Sequence, residues 1–193
     1  SNVFLARLGA TVAEICFIVL IALYLKEVAE NLKSKTGLIV AKIIVPAICI
    51  AQCFSWANVI STNNLFAIFE ESIWGICGFL LLLVTVSFYP KVEEKMQILV
   101  VVLGVFVLAY VIFMFTNDVP KYVSRYLADQ NSGETYLTFS EGIRDLLNMW
   151  YVSYEYSDWV NEMAWLALYF STAVWFSIYL INAPKIRPKD ENR

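Results

Sequence analysis

The first residue in this chain that could do chemistry is a glutamate in the middle of a greasy stretch. Glu14 lies in "ARLGATVAEICFIVLIALYLKE", a hydrophobic run that also carries Arg7. A charge at the centre of a lipid-facing helix costs roughly 2.5–3.5 kcal/mol on insertion scales, so such a residue faces a partner or a wetted cavity. Arg7 and Glu14 are two helical turns apart and share a face, with Thr11 between them. Other apolar stretches carry polar groups too: Gln52 and Asn58, then the adjacent pair Glu70 and Glu71, then Asn161 and Glu162. Glu70 and Glu71 project about 100° apart on a helix, so they cannot share one partner. One is expected to point inward and the other toward a neighbouring helix or subunit.

Arg7, Glu14, Asn58, Glu70, Glu71 and Glu162 therefore form the candidate polar site. Three chemistries suit them. They can tie helices together as ion pairs, Arg7 with Glu14 or Glu71. They can line a cavity for a cation, a proton, a lipid headgroup or a cofactor whose identity the residues do not specify. Glu14 or Glu71 can also work with Glu162 as an acid–base pair on a lipid.

Two further constellations stand beside this one. Cys16, Cys49, Cys53 and Cys77 fall near one depth at about 1.5 Å rise per residue, and thiolates suit soft metals. No CxxC spacing supports a metal site, however, and a free cysteine usually packs as a small hydrophobe. Trp165 and Tyr169 continue the Glu162 face as helix packing or as a wall for a ligand ring or tail.

The chain has no histidine, which removes the usual ligand or base of haem proteins, zinc hydrolases, Ser-His-Asp enzymes and histidine-box oxidases. It also lacks a nucleophile elbow and a phosphate-binding glycine loop. A net charge of −3 gives no basic patch for nucleic acid.

The elements that must position these residues follow from composition. Of the 193 residues 60% are hydrophobic and 16% charged, and mean hydropathy is +0.64. A soluble domain carries about 25% charged residues, so the pattern is that of an all-α integral membrane protein. Hydrophobic stretches at 3–25, 38–60, 65–88, 96–115 and 160–181 predict about five transmembrane helices of around 20 residues each. "KEVAENLKSKTG" reads as a polar helix extension ending near a C-cap at Gly37, and "STNN" and "YPKVEEK" read as turns. Pro46 predicts a kink in the second span, while Gly75 and Gly78 predict close helix packing.

The 116–158 segment is too polar to span. Asp118 reads as the N-cap of a short helix with Pro120 in its first turn. "SEGIRDLLNMWYVSY" predicts an interfacial amphipathic helix with Ile143, Leu146, Leu147, Trp150 and Tyr151 on one face. Trp150, Tyr151, Tyr154, Tyr156 and Trp159 resemble an aromatic belt at the entry of the last span.

Lysines and arginines concentrate on one side of this threading, which predicts a cytoplasmic C-terminal tail at 185–193. The N-terminus and the 116–158 loop then face outward. The chain opens on Ser1 rather than methionine, which reads as processing or trimming.

Three function classes remain. The leading one is a component of a larger or homo-oligomeric membrane assembly, with partner subunits and an outward polar site. A small transporter or channel comes second, weakened by the absence of an internal repeat. A lipid-modifying enzyme using carboxylates comes third.

Overall fold

The computed structural model describes residues 2–150, 155–183, 186, 188 and 189. Within the last helix it does not describe the side chains at 158, 159, 161, 162, 164–166, 168 and 169. Helices are the only regular elements among the described residues, which otherwise show two isolated bridges, Asn2 to Trp150 and Val92 to Pro188.

Helix α1 spans Val3–Asn31 and α2 spans Lys35–Ser61. The Asn2 side chain caps α1 by accepting from the Leu5 N–H at 3.2 Å. Between the helices Lys33 turns the chain with φ 49°, and the Ser34 hydroxyl accepts from the Gly37 N–H at 3.3 Å. That cap places Gly37 inside α2, which corrects its expected role at the end of α1. Its missing side chain is required by packing, since a Cβ there would stand 2.7 Å from the Ala29 Cβ.

A tight turn with Thr62 at φ 60° leads to α3, Asn64–Phe88, whose first turn is capped by the Asn63 side chain accepting from the Leu65 N–H. After a short 3-10 turn, Tyr89–Lys91, helix α4 runs over Glu94–Phe113. Here the second correction arises. The chain does not stop and restart at Asp118; it passes through a π-helical turn, Met114–Asp118, directly into α5, Val119–Ser132. Pro120 explains the widened turn, because a proline ring crowds the carbonyl four residues earlier, here Thr116, and donates no hydrogen bond to it.

Helix α6, Phe139–Asn148, is shorter than the sequence pattern suggests. It ends before Trp150, which pairs in extended geometry with Asn2, while Tyr151 and Tyr154 lie outside the described residues. Ile143 and Leu146 face inward, but Leu147 is exposed. The helix lies across the end of α2, with Gly142 against the Ile60 carbonyl. The segment before it joins this seam, as the Leu137 N–H donates to the Ser61 carbonyl at 3.1 Å. On the other side the Asn2 amide donates to the Leu147 carbonyl at 3.1 Å, which ties α6 to the start of α1.

Helix α7 spans Tyr156–Asn182 and runs in the same sense as α1, with the Phe17 and Phe176 rings 6.1 Å apart. Beyond it, buried Ile186 and a hydrogen bond from the Lys189 N–H to the Lys91 carbonyl at 2.8 Å pin the chain to the α3–α4 turn.

Four helical segments are long and apolar enough to cross a membrane: Val3–Asn31, Lys35–Ser61, Asn64–Lys91 and Glu94–Ser132. Helix α7 contributes the shorter apolar run Phe170–Asn182. The apolar core sits toward the α1–α2 turn, with Val28, Ala29, Ile44, Ile48, Val84 and Val92 buried. The opposite end of the bundle is where the polar side chains meet.

Candidate functional site

Each of three helices sends one polar stripe to the same place. On α1 the stripe is Arg7, Thr11 and Glu14, spaced by four and three residues so that they align on one face. On α2 it is Gln52, Ser55 and Trp56, and on α3 it is Glu70. The antiparallel hairpin of α1 and α2 brings the first two stripes into register.

At the centre, Arg7 Nη2 donates to Gln52 Oε1 at 2.8 Å and to Glu70 Oε1 at 3.4 Å, and it stands 3.7 Å from Glu14 Oε1. Gln52 Nε2 in turn donates to Glu14 Oε2 at 2.6 Å. An amide suits this position because one end accepts from the guanidinium while the other donates to the carboxylate. The Ser55 hydroxyl hydrogen-bonds Glu70, and Trp56 Nε1 donates to Thr11 Oγ1 at 3.1 Å. Phe4 closes this edge against the Trp56 ring at 5.7 Å.

The network is largely withdrawn from the surface. Side-chain exposure is 18% for Arg7, 17% for Glu14 and 8% for Glu70, too low for these groups to rely on bulk water for solvation. Gln52 and Ser55 are buried. Arg7 Nε is a buried donor with no hydrogen-bond partner among the described residues, an unmet demand that an acceptor entering the site can satisfy.

A second layer lies one residue further along α3. Glu71 turns away from Arg7 toward Asp118 of the π turn, with Tyr122 of α5 beside the pair. Lys121 and Arg125 also stand on α5, and Arg125 lies 5.5 Å over the Tyr122 ring. The widened turn at 114–118 sets Asp118 against α3. Further along the same seam, Asn64 Nδ2 donates to Asp129 Oδ2 at 2.8 Å.

Of the residues singled out from sequence, Arg7, Glu14 and Glu70 meet directly and Glu71 adjoins them. Asn58 is half-buried on α2 and takes no part in the side-chain contacts around Arg7. Glu162, Trp165 and Tyr169 fall on α7, but their side chains lie outside the described residues. Among the cysteines, Cys16, Cys49 and Cys53 are exposed on the bundle surface while Cys77 is buried. Among the described residues no three side chains of metal-ligating type come together.

The sequence reading left Gln52, Ser55, Asp118 and Tyr122 out of the site. Gln52 and Ser55 carry a signal in hindsight, because they lie at i and i+3 on one face of an otherwise apolar stretch. The chain matches no protein-family model, and comparison with curated proteins and with solved structures likewise returns no match.

Proposed function

We propose that this chain is a membrane protein of five spans, working within a membrane assembly, whose outward acidic site takes up and releases a proton. The observation that carries the proposal is the nearness of Glu71 to Asp118, next to Arg7 whose hydrogen bonds go to Gln52 and Glu70. An ionised carboxylate only accepts hydrogen bonds, so two neighbouring carboxyls can bond each other only by sharing a proton. Arg7 is engaged with Glu14 and Glu70, and Glu71 and Asp118 lie in the adjoining layer.

Two carboxyls set side by side repel when both are ionised, and sharing one proton removes that repulsion. Tyr122, beside the pair, supplies a hydroxyl through which a proton can pass toward the α5 surface. The carboxyls are engaged with Arg7, Gln52, Ser55 and each other. That arrangement favours a charge-holding site over one that turns over a lipid.

Five spans, rather than four, are supported by the 27-residue length of α7 and its course alongside α1. Lysine-rich turns at the opposite end support an outward-facing polar end with the C-terminal segment inside.

The test uses the full chain purified in mild detergent. Native mass spectrometry is expected to find it with copies of itself or a stoichiometric partner. Raising the pH of the same sample is expected to release fewer dye-reported protons into solution from Glu71→Gln than from wild type. A lone monomer overturns the assembly, and equal proton release overturns the site.

A further inference from the structure

At the end of the bundle away from the acidic site, α1 and α2 part to leave a surface groove. It encloses about 530 Å³, within the range of sites that hold small ligands. Its floor is made by Ala22 and Ala41, both buried, whose small side chains keep the cleft open. Leu23 forms part of the wall and is 59% exposed, so the cleft opens to the surroundings of the helices. Lys26 and Lys42 stand on its rim together with Glu30.

The two lysines come from different helices and arrive at one level. At about 1.5 Å per residue, Lys26 lies about 8 Å before the end of α1 and Lys42 about 10 Å into α2. Lys26 makes an exposed ion pair with Glu30 at 3.8 Å, which neutralises part of one charge and leaves the rim positive. The local field adds to this, since 26–42 contains four lysines and two glutamates.

An apolar slot with ammonium groups at its mouth matches one kind of molecule. Its lower part takes a hydrocarbon chain and its upper part takes a phosphate. Basic pockets between transmembrane helices are suited to anionic lipid headgroups for this reason. A lysine so placed can also simply snorkel to water. Two lysines converging on one apolar cleft from neighbouring helices go beyond what snorkelling requires.

We infer that the α1–α2 groove binds one anionic phospholipid, its phosphate between Lys26 and Lys42 and an acyl chain along Ala22 and Ala41. This rests on α1 and α2 crossing a bilayer, and it is independent of the acidic site.

The experiment reconstitutes the full chain in nanodiscs of mixed phosphatidylcholine and phosphatidylglycerol. Lipid retained after transfer to detergent is counted by native mass spectrometry. Wild type is expected to keep one phosphatidylglycerol in preference to phosphatidylcholine. The double variant Lys26→Gln/Lys42→Gln is expected to lose that preference by about tenfold. Lys33→Gln/Lys35→Gln removes the same charge from the adjoining turn and is expected to keep it, as is Lys26→Arg/Lys42→Arg.

Equal loss in the Lys33/Lys35 variant overturns the groove in favour of a diffuse surface charge. No preference in wild type overturns the site outright. Displacement by inorganic phosphate at the same concentration overturns the role of the acyl chain.

Discussion

Gln52 is the residue on which the site turns, since among the described residues it is the one side chain that hydrogen-bonds both Arg7 and Glu14. Replacing it with leucine strips a hydrogen bond from each, and leaving such groups unmet costs about 1–3 kcal/mol. Arg7→Met removes the shared cation from Glu14 and Glu70 and is expected to cost more, about 3–5 kcal/mol. Glu14→Gln keeps an acceptor for the Gln52 amide and is expected to cost least of the three. Unfolding of the purified variants in mixed micelles checks the order, with exposed Glu134→Gln as the neutral reference. The sequence made Arg7 and Glu14 legible because charges in an apolar run violate a simple energetic rule. Gln52 escaped because an amide violates that rule only mildly, and its role depends on the register between α1 and α2. For Glu70 and Glu71, helix geometry showed that they diverge, but only packing against Arg7 and Asp118 decides which faces where.

At the scale of elements, the helices and turns follow from hydrophobic runs and their punctuation, and the exceptions share one cause. Asp118 with Pro120 has the local chemistry of a helix start, yet α4 continues because a π turn absorbs the proline while α5 stays packed along α3. Gly37 has the local chemistry of a helix end, yet it marks where α2 crosses Ala29 and Phe88. Local signals propose boundaries, and tertiary contacts move them. Helix α6 is fastened in two ways that can be tested separately. Gly142→Ala drives a methyl into the Ile60 carbonyl and is expected to loosen α6 at a cost of about 1–3 kcal/mol, read as faster amide exchange over 139–148.

The Glu141 carboxylate accepts from the Thr138 hydroxyl at 2.5 Å and from its backbone N–H at 3.0 Å. The hydroxyl foremost, then the N–H, hold this carboxyl below its ordinary value of 4.5. Because the folded value is the lower one, the cap contributes fully above pH 4.5 and is lost as the pH falls through the folded value below it. The protection of the α6 amides, taken relative to their intrinsic exchange rate at each pH, is therefore expected to fall in acid for wild type and to be less acid-sensitive in Glu141→Gln.

Over the whole molecule, the bundle is polarised. Its apolar core and lysine-rich turns occupy one end, and Arg7 with its carboxyls occupies the other. Orientation follows if the lysine-rich end faces the cytoplasm. An impermeant maleimide is then expected to label E134C from outside and K33C only after permeabilisation, in a chain whose four native cysteines are replaced. In the proposed site a proton is kept between Glu71 and Asp118. Infrared difference spectroscopy across a pH step reads this most directly, through the stretching band of a protonated carboxyl. The account predicts that this band appears in wild type, shifts in deuterium oxide, and disappears in both Glu71→Gln and Asp118→Asn while persisting in Glu134→Gln. A wild-type spectrum without the band, or one left unchanged by both substitutions, would contradict it.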